Sequence, residues 1–158
     1  MKNKFFETSQ DIVDLAFRKL EACGLSQLGL NFNIVSTRKA KDVLTLGRMS
    51  GIAEYILKKN DIVTIVVYEE AFDRLGDEYK DKLMEGIVSN ISYDFDKDNI
   101  VIDNSRYGEF IRMRRKYENY GDIIEASVMV IQQIADEEKQ RKEEERARKK
   151  ENKDKTPN

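Results

Sequence analysis

Apolar residues recur along this chain in two periods, and the switches between them outline the elements. After Thr8-Ser9, residues Ile12, Ala16, Leu20 and Cys23 return about every 3.6 positions, with Val13 and Leu15 widening the stripe. The pattern predicts a helix over 9–23, opened by N-cap chemistry at Thr8, Ser9 or Asp11 and closed by Gly24. Leu30, Phe32 and Ile34 alternate with polar neighbours and predict a half-buried strand. A second strand is predicted over 42–49, while 51–59 is ambiguous. Ile62, Val63, Ile65, Val66 and Val67 make a β-branched run, the best strand in the sequence, over 61–68. A short helix over 69–75 follows.

Tyr79, Leu83, Ile87 and Ile91 stand four apart, with Met84 and Val88 beside them, and predict a core-facing helix over 77–91. Ile91–Phe95 and Ile100–Ile102 flank the turn-rich Asp96-Lys97-Asp98-Asn99, which reads as a hairpin. A helix is predicted over 106–118. A last one starts after Gly121-Asp122, with Ile124, Val128, Ile131 and Ile134 on one face. At Asp136 the apolar pattern stops. From 137 to 155, 16 of 19 residues are charged, many as Glu-to-Lys/Arg pairs four apart. The expected organisation is a domain over 1–136 and a charged, helical or disordered tail over 137–158.

Charge changes this picture little. The net charge is −2, split into −4 for 1–136 and +2 for 137–158. The absence of histidine changes more. It removes His-ligated zinc, Ser-His-Asp and Cys-His catalysis, and any histidine proton switch. One cysteine, Cys23, allows neither an intramolecular disulfide nor a cysteine metal cluster. Its place on the first helical stripe predicts a small buried hydrophobe. No apolar run approaches the ~18 residues of a membrane span, so no membrane partner is expected.

Several stretches carry a resemblance. They are the strand-to-helix passage Ile62–Leu75, the helix opening Asp77–Met84, Ile91-Ser92-Tyr93-Asp94, and Glu109-Phe110-Ile111 with Tyr120-Gly121 beyond. Together with the element order over roughly 10–135, they resemble the phage metallopeptidase family, minimal zincin-like proteins in the style of SprT-type proteases. The resemblance implies an α+β fold: a small mixed sheet packed against helices, with a C-terminal helix running into the tail. It also implies an H-E-x-x-H helix, in which two histidines grip zinc and the glutamate activates water. The matching positions here are Gly86, Ile87 and Asn90. A further ligand, expected just before the Glu-Phe pair, falls near Asn104 or Ser105. None of these is a good zinc ligand, and isoleucine cannot act as a base. The resemblance therefore implies a fold without its chemistry: no catalytic residue, no metal and no cofactor.

Other chemistry is thinner. Asp94-x-Asp96-x-Asp98 spaces oxygen ligands as a calcium loop does, but Asn99 replaces the glycine and Ser105 the closing glutamate. Arg106, Arg112, Arg114, Arg115 and Lys116, interleaved with Tyr107 and Tyr117, form one local basic patch. It could meet a partner protein, or phosphates and bases; the pI near 5.4 disfavours a dedicated nucleic-acid binder. The expected function is a non-catalytic, metallopeptidase-like phage protein. It would act as a binding or structural module, with virion subunits or a host protein as partner, in the host cytoplasm or the virion. The alternative is a nucleic-acid-associated accessory protein using the 106–116 face and the tail.

Overall fold

The computed structural model describes residues 4–59 and 62–154. Residues 1–3, 60–61 and 155–158, which fall in the expected domain, strand and tail, lie outside the described residues. In chain order the first elements are β1 Phe5–Glu7, α1 Gln10–Ala22, a 3-10 turn Leu25–Leu28, β2 Asn31–Thr37, β3 Leu44–Arg48, α2 Gly51–Leu57 and β4 Ile62–Tyr68. Then come α3 Glu69–Asp73, α4 Asp77–Val88, β5 Ile91–Asp94, β6 Asn99–Ile102, α5 Arg106–Lys116 and α6 Tyr120–Asp154. This is an α+β architecture with a small mixed sheet.

The β-branched run becomes β4, an inner strand of a sheet ordered β1-β2-β4-β3. It pairs parallel to β2, Asn31 opposite Ile62 through Thr37 opposite Tyr68. It pairs antiparallel to β3, Leu44 opposite Val67 and Arg48 opposite Val63. Among the described residues β3 has this one strand neighbour, so its other edge carries no strand. β5 and β6 form the expected hairpin as a separate two-stranded sheet.

One core joins sheet and helices. Ile12, Ala16 and Leu20 of α1, Val63, Ile65 and Val67 of β4, and Met84 and Val88 of α4 are almost fully buried in it. α4 is its hub, touching α1, β3, α5 and α6. Burying side chains of this size stabilises by about 1.5–3 kcal/mol each.

Four expectations need correction. α4 ends at Val88, not 91, because its last turn tightens: Asn90 N–H donates to Ile87 O at 3.2 Å, and Ser89 Oγ to Gly86 O at 2.6 Å. Ile91 is buried as the first residue of β5 instead. Cys23 is exposed as the C-cap of α1, not buried on its stripe. The buried face of α6 runs through Tyr120, Ile123, Ser127 and Ile134, which leaves Val128 61% exposed. Finally, 51–59, ambiguous in sequence, is helical over Gly51–Leu57.

α6 does not break at Asp136. It continues helical to Asp154. Arg74, at the end of α3, grips Glu137 with both guanidinium nitrogens, at 2.9 and 2.8 Å.

Candidate functional site

α4 and the turn after it bring Gly86, Ile87 and Asn90 close together. Opposite them, α5 presents Glu109 and Arg112, and α6 presents Tyr120. Tyr120 is fully buried and its hydroxyl donates to Glu109 Oε1 at 2.7 Å. Asn90, also buried, donates from Nδ2 to Glu109 Oε2 at 2.7 Å. Its Oδ1 accepts from Arg112 at 2.5 Å, and Arg112 continues to Asp103 at 3.0 Å. The result is one line of hydrogen bonds: Tyr120, Glu109, Asn90, Arg112, Asp103. Each end of the Asn90 amide has a partner of one kind only, which fixes its orientation. Among the described residues, no buried side-chain nitrogen or oxygen lacks a partner.

Electrostatics act on the two ends of the line. Burial first, then the Glu109 carboxylate, push the Tyr120 phenol far above its usual value, so it stays a donor. Asp103 is held below the usual range by the Ser105 backbone N–H first and then by Arg112.

Gly86 has a specific reason to be glycine. A Cβ there would fall inside contact distance of the Tyr120 hydroxyl, 3.0 Å from Glu109 Oε1 and 3.2 Å from Tyr120 Cζ. The Tyr120 ring end therefore fills the space that any side chain at 86 would enter. This bears on the zinc motif that the resemblance implies. Its first position cannot hold a side chain without displacing Tyr120. Its second is an isoleucine, and its third is an amide already bonded at both ends. Glu109 is the one carboxylate at this point, and both its oxygens accept hydrogen bonds. The residues present do not fit a zinc ion, and no catalytic step is derived through one. Among the described residues, no three histidine, cysteine, aspartate or glutamate side chains converge as a metal site.

The third-ligand expectation is displaced. Ser105 caps α5 instead, its Oγ accepting from Gly108 N–H at 3.1 Å, and Asn104 is exposed. The residue that actually faces Gly86 and Asn90 is Glu109, one helical turn later. Sequence reasoning named it only within the Glu-Phe pair and missed Tyr120 as its partner.

Beside this network lies a cavity of about 330 Å³. Residues 41–46, including the edge strand β3, bound one side; Ile87, Glu109, Phe110, Ile124 and Val128 are among the others. Most of its exposed wall is apolar, but Glu109 and Asn90 are joined by Lys41, Asp42, Thr45, Asn104, Arg106 and Ser127 as polar points. Ile87, 8% exposed, forms part of the wall facing β3.

The basic patch is largely spent on internal partners. Arg106 is paired with Asp42 and Lys116 with Glu85. Arg112 belongs to the network above. Arg114 and Arg115 are exposed, with no partner among the described residues. Glu85 is a second junction: it also accepts from Tyr117 Oη at 2.7 Å and lies 3.6 Å from Lys19.

The chain matches no family model, no curated protein and no solved structure.

Proposed function

We propose that this protein is a non-catalytic binding module whose groove between β3 and α5/α6 takes an extended segment of a partner protein. The observation that carries the reading is the closed network at Gly86, Asn90, Glu109 and Tyr120 beside an open, mainly apolar cavity. A metallopeptidase-like scaffold that has lost its chemistry would keep its groove and refill its reaction centre. Tyr120 above Gly86, and Ile87 on the groove wall, are consistent with that refilling. An unpaired strand edge offers main-chain hydrogen bonds to an added strand, and the cavity offers room for its side chains. A phage origin, with a virion subunit or a host protein as the partner, remains part of this proposal through the resemblance alone. The nucleic-acid alternative draws on Arg114, Arg115 and the tail, since the other three cations of the patch already meet acids.

The test is selection from a displayed library of unstructured peptides against the full chain. Enriched peptides are expected to bind intact, with no cleavage by mass spectrometry. They are expected to lose at least ten-fold in affinity to Leu46→Arg and Val128→Arg. Cleavage of the peptides would overturn the non-catalytic reading. Binding that ignores both substitutions would overturn the groove.

A further inference from the structure

α2 is a helix turned inside out. None of its seven residues is buried. Ile52, Tyr55, Ile56 and Leu57 are 76%, 85%, 68% and 51% exposed. Its half-buried side is Ala53 and Glu54, and Glu54 Oε1 accepts the backbone N–H of Ile62 at 3.2 Å. That bond, with the Ser50 hydroxyl accepting from Ala53 N–H at 3.3 Å, fixes the apolar stripe outward. Single exposed apolar residues are ordinary, but four on two turns of one helix mark an interaction surface.

The surroundings carry both signs of charge. Lys58 and Lys59 follow the helix directly. Arg48, just before it, donates to Asn99 at 3.0 Å, which brings the β5–β6 hairpin tip to the same end of the sheet. That tip holds Asp94, Asp96 and Asp98 with Lys97 among them, around Phe95, itself 75% exposed; Asp94 accepts from the backbone N–H groups of Asp96 and Lys97 and Asp98 from the Tyr93 hydroxyl, so Asp96 is the acid turned to solvent. The patch thus has an apolar centre, a basic edge and an acidic edge.

We infer that this face binds a second copy of the chain about a two-fold axis. A two-fold interface uses the same patch on both subunits, so it requires a self-complementary surface. Here the basic edge of one copy meets the acidic tip of the other while the α2 stripes cover each other. The four α2 side chains expose roughly 600 Å² per copy, so pairing buries about 1,200 Å², the lower end of the range for specific interfaces. A weak dimer, in the micromolar range, is the expected result. A membrane surface is the less favoured occupant, because 1–136 carries net −4, which anionic lipid repels.

Sedimentation equilibrium on the full chain is the test, with circular dichroism to confirm that each variant is folded. The wild type should dimerise. Ile52→Asp combined with Ile56→Asp, both at exposed positions, should weaken the dimer at least ten-fold. Lys59→Asp and Asp96→Lys should each weaken it several-fold, and together restore it toward the wild type. A wild type that is monomeric at several hundred micromolar would overturn the inference, as would a dimer indifferent to the Ile52 and Ile56 substitutions. A monomer that co-sediments with vesicles of anionic phospholipid would overturn it in favour of the membrane.

Discussion

Gly86→Ala is the sharpest perturbation of the network, because helix propensity and packing pull in opposite directions. Gly86 lies inside α4, where alanine should gain about 1 kcal/mol over glycine from backbone entropy alone. The added Cβ, however, collides with the Tyr120 hydroxyl. Tyr120 is fully buried, so the ring cannot swing out. Displacing it strains its 2.7 Å bond to Glu109. A hydrogen bond to a charged group contributes about 1.5–3 kcal/mol. Overpacking a buried site costs a further ~1–3 kcal/mol. After the propensity gain, the expected loss is about 1.5–5 kcal/mol. Tyr120→Phe removes the colliding oxygen and leaves only the 3.0 and 3.2 Å contacts, which a few tenths of an ångström relieve. In that background Gly86→Ala should cost no more than about 1 kcal/mol, giving a coupling energy of roughly 2 kcal/mol. Urea unfolding of the four proteins, followed by circular dichroism, measures the cycle, provided the m-values agree. Equal costs of Gly86→Ala in both backgrounds would show that Tyr120 does not fill the space above Gly86.

Four further outcomes are expected. Ile87→Glu should destabilise by about 2–4 kcal/mol in the same assay, because it places a carboxylate in an apolar wall near Glu109; an unchanged midpoint would move Ile87 out of that wall. Protein purified without chelator should contain well under one zinc per chain by elemental analysis, and a tightly held equivalent would contradict the filled site. At Glu85, burial acts first and upward, but hydrogen bonds from Lys116 and Tyr117 and the charges of Lys116 and Lys19 outweigh it, so its carboxyl sits below its ordinary value of 4.5. A carboxyl depressed by folding stabilises fully above its unfolded value and loses that contribution as pH falls through its folded value, so Glu85→Gln should flatten the stability–pH curve below about pH 4.5 and not above pH 6. Truncation after Asp136 should keep the fold and shift the thermal midpoint by no more than a few degrees, since the ion pairs it removes among the described residues are Arg74–Glu137 and, within the tail itself, Lys142–Glu138, each worth about 0–1 kcal/mol; a chain that no longer folds would place the tail inside the domain.

The legible parts of the fold are those whose burial follows a local period. β4 is legible because a β-branched run has few other uses. α1 and α4 are legible because their core faces recur near every 3.6 residues, and the hairpin because its turn residues are concentrated. α2 is illegible for a physical reason: its apolar stripe faces solvent, so periodicity that normally points to the core points away from it. β1 is three exposed residues, Phe5-Phe6-Glu7, defined only by pairing to Val35–Thr37, far along the chain. The face of α6 is legible at Ile124, Ile131 and Ile134, which lie in or against the core, but not at Val128, because a polar residue, Ser127, takes the buried position, its hydroxyl satisfied by Ile124 O at 2.7 Å. Cys23 fails similarly, since helix α1 ends one residue before its stripe does.

The candidate site divides along the same line. Gly86, Ile87 and Asn90 are legible together because one helical stretch carries them. Glu109 and Tyr120 stand 23 and 34 positions beyond Gly86, and no local pattern links a tyrosine to a glycine. Their meeting depends on α5 and the start of α6 both packing on α4. What the sequence does show is a set of omissions, and the structure makes them mutually dependent. With a side chain at 86, Tyr120 has no room. Without Tyr120, Glu109 Oε1 loses its donor beside an apolar cavity. With histidine at 90, the Glu109–Arg112 bridge through the Asn90 amide is broken. Restoring any single position of a metal motif therefore costs a hydrogen bond or a packing contact and gains no complete site. The glycine, the amide, the carboxylate and the phenol hold one another in place, so a change at any one of them is felt by the other three.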